Sequence, residues 1–397
     1  MAYAIDALNL IASEHETGPF TTAQKLSILI SLCGVRVIDN YQNIDLVNQT
    51  YTLIYTDPTT GKSNYQTACV PSYTISTPFI LLVDDNGVEG LIRFEPGFDT
   101  FAGIDLTDGY KIKIHARIGA ASNHYYSRVD PNLRELPTAM LVSPYTTCAG
   151  GCRMCSRAAA NTFTKSPRDY IEAHVRQVAI DYHTRTWDPL DLWSVNLVTG
   201  CQSSIDREMH MMLNTMKEYY KQGFNNVRFH IYSYLLTHQE HMTDLRRAGA
   251  IGHIGTLETF DNERRLLYWG REKGATTFDN HLKRYAKAHE VGYPIVETNY
   301  VIGTDSYSAM MKGIKTLDNE GVAVVPNMMR SYNSIQVNSL HSDLWEMGFR
   351  YILDGFQAAT KTYRHPTIKR YAGNHAVEYL RSKGLNVTYD DLPIRHT

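Results

Sequence analysis

From Thr138 onward the chain alternates short apolar runs with longer amphipathic ones, and this rhythm constrains the fold more than any other feature of the sequence. The apolar runs are residues 139–142, 192–198, 226–232, 252–257, 295–302 and 322–326. Helical patterns at 167–182, 205–222, 238–247, 277–291 and 307–320 fall between them. Strands alternating with helices of this length form βα units around a parallel sheet. Right-handed crossovers then leave two solutions, an open sheet or one curled into a full or partial barrel. In a barrel, the chemistry gathers where strands end and the following loops begin.

The first ~130 residues read differently. Residues 22–33 (TAQKLSILISLC) predict a helix that Thr21 or Thr22 can cap and Gly34 can end. Short β-rich runs follow at 35–39, 51–56, 79–83, 88–94 and 110–116. Asp57-Pro58-Thr59-Thr60-Gly61 and Asp84-Asp85-Asn86-Gly87 carry turn signals between some of them. The expected organisation is an N-terminal β-rich α+β domain over 1–130, ending near Asp130-Pro131. A partial (β/α)6 TIM-like barrel follows over 131–335, then a C-terminal helical extension over 336–397. In the extension, Trp345, Phe349, Tyr351 and Phe356 fall at near-helical spacing and read as core.

Composition narrows the function classes. The 397 residues are 43% hydrophobic and 20% charged, which suits a folded chain with a sizeable core. The formal net charge of −2 gives no basic field for nucleic acid. No apolar run approaches the ~18 residues of a membrane span, so no membrane partner is expected. Residues 1–11 contain Asp6 and lack the pattern of a secretory signal, so a cytoplasmic location is expected.

Six cysteines are too few for a disulfide scaffold in a chain of this length. Three of them, Cys148, Cys152 and Cys155, lie together in Cys148-Ala-Gly-Gly-Cys152-Arg-Met-Cys155, directly after the first strand of the βα region. Thiolates are soft ligands for zinc or iron–sulfur clusters. A structural zinc site takes four ligands, and His174 or Cys201 can complete a tetrahedron. A [4Fe–4S] cluster held by three cysteines keeps one iron open to another molecule. The two glycines let the backbone wrap closely around a bulky group.

This triplet, spaced CxxxCxxC after a first barrel strand, resembles the hallmark of the radical S-adenosylmethionine (radical SAM) superfamily. Met154 stands where that family often has an aromatic residue. The segments 138–143 and 152–157 are also similar to the lysine 2,3-aminomutase branch. The resemblance covers about half of the chain, from Thr138 to Arg330. It implies a [4Fe-4S] cluster on Cys148, Cys152 and Cys155, with the open iron binding S-adenosyl-L-methionine. It further implies reductive cleavage to a 5′-deoxyadenosyl radical that takes hydrogen from a small polar substrate. The protein's part is orientation and exclusion of water. An electron donor such as flavodoxin or ferredoxin is an implied partner.

The strand ends supply further candidates. Thr199-Gly200-Cys201-Gln202 sits where the family has a glycine-rich motif that receives the methionine amino group. The acid ending that motif is absent. Cys201 reads as a buried core thiol, as a hydrogen-atom donor to a substrate radical, or as a ligand or substrate contact. Glu258-Thr259 is similar to a segment of the biotin synthase, hydrogenase maturase and methylornithine synthase branch, which implies that Glu258 holds the ribose hydroxyls. A carboxylate can accept both hydrogen bonds of a diol. Asp261 reads instead as a helix cap. In 277–284 the branch has a carboxylate-clamping arginine where His281 stands. His281 can donate in its place, or Arg284 on the same helix face, or Arg264 or Arg265.

Ile302 and Gly303 correspond to a strand-five motif that packs on adenine, and Met328 or Met329 can flank the same ring. Glu297 and Asn299 alternate with Thr298 and Tyr300, so one pair faces the barrel interior. Arg228, His230, Tyr232 and Tyr234 share a face by the same period and read as lining a substrate cavity. Arg330 suits an anionic group.

Residues 338–397 lack the glycine-rich context of a pyridoxal phosphate lysine, and Cys33, Cys69 and Cys201 are too scattered for a second cluster. The expected reaction is therefore of lyase, mutase, epimerase or dehydrogenase type. The alternatives are a maturase acting on a peptide or carrier-bound substrate, and a non-enzymatic zinc-binding module.

Overall fold

The computed structural model describes residues 204–328 except 226 and 235, and residues 339–362 except 348. Before them it describes the elements named below with a few flanking residues, including Leu26, Ile30, Val35 and Cys152–Arg153.

The strands before residue 116 are β1 (Arg36–Ile38), β2 (Thr50–Thr56), β3 (Ser63–Cys69), β4 (Phe79–Val83), β5 (Glu89–Phe94), β6 (Thr100–Phe101), β7 (Ile104–Asp105) and β8 (Tyr110–His115). Six of them form a mixed sheet in the order β1-β4-β5-β8-β2-β3. Only β1–β4 is parallel in this sheet. β3 reads in the sequence as a polar run and owes its place to pairing along all of β2.

A second sheet begins at β9 (His124–Tyr126), which pairs antiparallel with β10 (Thr138–Val142). The second sheet therefore starts ahead of the expected boundary near Asp130. The chain continues through α1 (Pro167–Thr184), β11 (Leu192–Val198), α2 (Ile205–Lys221), β12 (Arg228–Tyr232), α3 (Gln239–Arg247) and β13 (Ala250–Glu258). Three helices follow, α4 (Asn262–Tyr268), α5 (Arg271–Ala275) and α6 (Phe278–Val291). The last elements are β14 (Ile295–Ile302), α7 (Tyr307–Asn319), β15 (Ala323–Met328), α8 (Ser342–Met347) and α9 (Phe349–Lys361). The seven strands lie in the order β15-β14-β13-β12-β11-β10-β9, and all but the β9–β10 pair are parallel.

Local chemistry sets the helix ends. Ser204, Thr277 and Ser306 accept hydrogen bonds from backbone N–H groups three residues on, at 3.5, 3.3 and 3.2 Å. Asp261 caps α4 through Glu263 N and Arg264 N at 2.8 and 3.1 Å, as its sequence position suggests. Gly292 ends α6 with φ 85°, a left-handed conformation that glycine adopts without strain.

The parallel sheet has two different faces. On one, Phe229 packs against Tyr219 and Tyr220 of α2, and His253 against Tyr285 of α6. Ile302 lies on the same side, where a side chain on Gly355 of α9 would meet it. The opposite face carries the other parity. Asn196 is in register with His230, and Val198 with Tyr232. His230 and Tyr232 are in turn in register with Gly252 and Ile254. Ile254 pairs with Glu297, which pairs with Ala323. Asn196, His230, Ile254, Glu297 and Ala323 are all buried. We call this the inner face. α9 packs on β15 and α7 and contributes buried Tyr351 and Ile352, so the described part of the C-terminal extension belongs to the helix layer.

Candidate functional site

Cys152 follows β10 in sequence and is buried at the carboxyl ends of three other strands. It clusters with Tyr234 beyond β12 and Trp269 beyond β13, and Val301 near the end of β14 packs against them. Its Sγ accepts a hydrogen bond from the backbone N–H of Gly270 at 3.2 Å.

Glu258 is the last residue of β13. Its φ of 66° is the one left-handed value among the described non-glycine residues. That conformation is strained for a residue with a Cβ. The ladder to β14 is irregular between Gly255 and Glu258, so the strand end is turned out of regular pairing. Trp269 Nε1 donates to Glu258 Oε2 at 2.5 Å, and Lys273 Nζ donates to Oε1. Cys152 and Glu258 are thus joined through one segment, Trp269-Gly270, which separates α4 from α5.

Two groups fix this strand end. Asp305 is buried and accepts hydrogen bonds from Thr259 Oγ1, Phe260 N and Asp261 N at 2.6, 3.0 and 2.9 Å. Burial pushes its carboxyl upward, and these donors pull it back. The fully buried Arg265 donates to the Leu257, Thr259 and Thr276 carbonyls and to Asn262 Oδ1. Burial lowers its guanidinium to about 10, so it stays charged at neutral pH.

The remaining candidates separate into groups. Arg284 is buried and donates to the Ser233 and Tyr234 carbonyls beyond β12, which commits it to holding that loop. Arg264 donates to the Ser339 carbonyl. His281 is buried and its ring stacks on Tyr285, with centroids 6.1 Å apart. Burial first, then the charges of Arg284, Arg265 and Lys273, hold its pKa well below 6.5. It therefore presents a neutral ring and no cation.

Ile302 departs from its sequence expectation. Its side chain lies in the helix layer because β14 alternates, and Val301 is the residue turned toward Cys152. Gly303 follows at φ 104°, where an added Cβ would lie 2.8 Å from Leu340. Of the alternating pairs on β14, Glu297 and Asn299 stand on the inner face while Thr298 and Tyr300 face helices. Tyr300 lies 4.7 Å from Phe260, ring to ring. Asn327 Nδ2 donates to Asn299 Oδ1 at 3.3 Å. His230 and Tyr232 share this face, and the His230 ring covers Gly252, where a Cβ would lie 2.4 Å from Nδ1.

Cys148, Met154, Cys155, Thr199, Gly200, Cys201, Gln202 and Arg330 lie outside the described residues, as does the side chain of Met328. Among the described residues no three His, Cys, Asp or Glu side chains converge as metal ligands. Sequence reasoning missed Trp269, Gly270 and Lys273. Their signal was an aromatic-glycine step between two short polar helices, which reads as an ordinary loop.

No family model matches the chain, and no curated protein matches it. Among solved structures it is similar to the [FeFe]-hydrogenase maturase HydG in two crystal structures, both at a TM-score of 0.42. In the first the identity is 16%, over 56% of this chain and 49% of that one. In the second, from Carboxydothermus hydrogenoformans, it is 14%, over 60% and 56%. It is also similar to coproporphyrinogen III oxidase (HemN) from Escherichia coli, described as a radical SAM enzyme. That likeness has a TM-score of 0.40 and 11% identity, over 56% of this chain and 51% of that one. The chain thus spans about half the length of each structure.

Proposed function

We propose that this chain is a radical SAM enzyme built on a partial (β/α)6 barrel. The observation that carries the reading is the position of Cys152. The middle cysteine of a CxxxCxxC triplet is buried at the carboxyl ends of β12, β13 and β14, and the residue that donates to its sulfur, Gly270, directly follows the tryptophan that holds Glu258. Parallel α/β sheets carry their ligands at that edge. The sequential strand order also suits a curled sheet, because the inner face is buried although the described helices pack on the other.

The residues present fit the implied groups. Cys152 offers a buried sulfur with an N–H donor, and Cys148 and Cys155 would supply the other two ligands of a [4Fe–4S] cluster. When bound, that cluster supplies one electron to S-adenosyl-L-methionine, whose reductive cleavage starts radical chemistry. Glu258 would accept the ribose hydroxyls, with Trp269 and Lys273 fixing its carboxylate. Val301 would meet the adenine beside Gly303. Arg284 and Arg265 hold the loops that carry these groups. Asn299, Tyr232 and His230 would meet a small polar substrate on the inner face. The electron donor is proposed to be a flavodoxin or ferredoxin. No described helix is long and apolar enough to cross a membrane, and a cytoplasmic location remains part of the proposal.

Anaerobic reconstitution with iron and sulfide tests the reading. We expect about four irons per chain and release of 5′-deoxyadenosine with S-adenosyl-L-methionine and a reductant. Zinc as the sole bound metal would favour the metal-binding module instead.

A further inference from the structure

Glu297 lies at the middle of the inner face, within β14. It is fully buried, and neither carboxylate oxygen has a hydrogen-bond partner among the described residues. Its surroundings explain this. Ile254 and Ala323 are its partners in register on the two neighbouring strands. Ile295 precedes it on the same face by period two, and Asn299 follows. Asn299 itself pairs with Asn327. Among the described residues, the titratable groups that share this face on the neighbouring strands are Arg228, His230 and Tyr232 on β12, one strand beyond β13. Arg228 Nη1 donates to the Val227 carbonyl at the amino end of that strand.

A buried carboxylate without partners is costly, and cores do not accumulate such groups by packing alone. Glu297 plays no structural role of the kind seen for Asp305, which accepts three hydrogen bonds. Burial raises its carboxyl to about 8. Near neutral pH the carboxyl is therefore held protonated for want of a partner. No described cation hydrogen-bonds or ion-pairs with it.

We propose that Glu297 receives a protonated amine of the substrate on the inner face. An ammonium supplies both the positive charge and the donors that this carboxylate lacks. The proposal rests on the enzyme reading above for the word substrate, but the amine site itself does not depend on a cluster. The ligand class is a primary amine small enough to lie between Ile254 and Ala323, with its remaining polar groups toward Asn299.

The test compares primary amines from ethylamine to hexylamine with the alcohols of the same length, on wild-type protein and Glu297→Gln. Calorimetry is run at pH 7 in two buffers of different ionisation enthalpy. We expect amines to bind the wild type in preference to alcohols, with about one proton released per amine as Glu297 ionises. Glu297→Gln keeps the shape of the side chain and should weaken the amine about thirtyfold, leaving the alcohols unchanged. A second variant, Glu297→Met, guards against a folding artefact, because it suits an apolar core and should lose the amine in the same way. Equal binding of amines and alcohols, unchanged amine affinity in both variants, or no amine binding by the wild type would overturn the proposal. Iron content and 5′-deoxyadenosine release are measured on the same preparations. Amine selectivity in a zinc-only protein would sink the cluster reading and keep this site, and 5′-deoxyadenosine release without amine selectivity would do the reverse.

Discussion

The Sγ of Cys152 accepts the backbone N–H of Gly270, 118 residues further along the chain, at 3.2 Å. This one contact ties the cysteine loop to the segment that also holds Glu258. It makes Cys152 the proposed ligand whose loss is easiest to interpret, because the surrounding Tyr234 and Trp269 can stay packed around a smaller side chain. Cys152→Ala should therefore fold, with a cavity cost of about 1–2 kcal/mol. Its iron content after reconstitution should fall from about four per chain to a small remainder, and 5′-deoxyadenosine release should vanish. Full iron content in this variant would remove Cys152 from the ligand set.

Trp269 and Glu258 form a charge-assisted hydrogen bond of 2.5 Å. Such bonds contribute about 1.5–3 kcal/mol. If Trp269 acts by orienting Glu258 toward ribose, Trp269→Phe should weaken S-adenosyl-L-methionine binding about tenfold. Glu258→Ala should weaken it at least as much. The double variant should be no worse than Glu258→Ala alone, because both changes remove one interaction. Additive losses measured by equilibrium dialysis would show that Trp269 touches the ligand independently of Glu258.

Asp305 carries the strand end on which Glu258 sits. Asp305→Ala strands three donors, those of Thr259, Phe260 and Asp261, in a buried loop. The expected loss is about 3–5 kcal/mol of stability, read as a lower urea midpoint with an unchanged slope. A loss below about 1 kcal/mol would mean that water replaces the carboxylate.

The βα rhythm was legible because each buried strand is a short apolar run set apart from an amphipathic helix, and strands such as 192–198 and 295–302 coincide with β11 and β14. The polar strand β3 was not, since its pairing with β2 is a tertiary fact. For the site, spacing identified Cys152 as a ligand candidate and placed Glu258 at a strand end. It did not reveal Trp269 or Lys273, whose contacts with Glu258 cross 11 and 15 residues through a loop. Nor did it separate Val301 from Ile302, because alternation gives two faces and only the packed helices say which is inner.

Two buried groups set opposite limits on stability with pH. Glu297 is raised from 4.5 to about 8 by burial. The unfolded chain releases this proton above pH 4.5 while the folded chain keeps it, so its contribution is full below 4.5 and is lost as pH rises through 8. His253, packed between Tyr285 and Tyr293, is lowered from 6.5 to about 3, by burial first and then by Arg284 and His289. The unfolded chain takes up this proton below pH 6.5 while the folded chain resists it, so stability falls as the solution is acidified from 6.5 toward 3. Each group contributes a slope of at most about 1.4 kcal/mol per pH unit within its window. Glu297→Gln should flatten the decline between pH 5 and 8 and leave the acid side unchanged. His253→Leu should flatten the acid side alone. Urea unfolding across this pH range reads both slopes, and a Glu297→Gln curve parallel to wild type would mean that the carboxylate is already ionised in the folded protein.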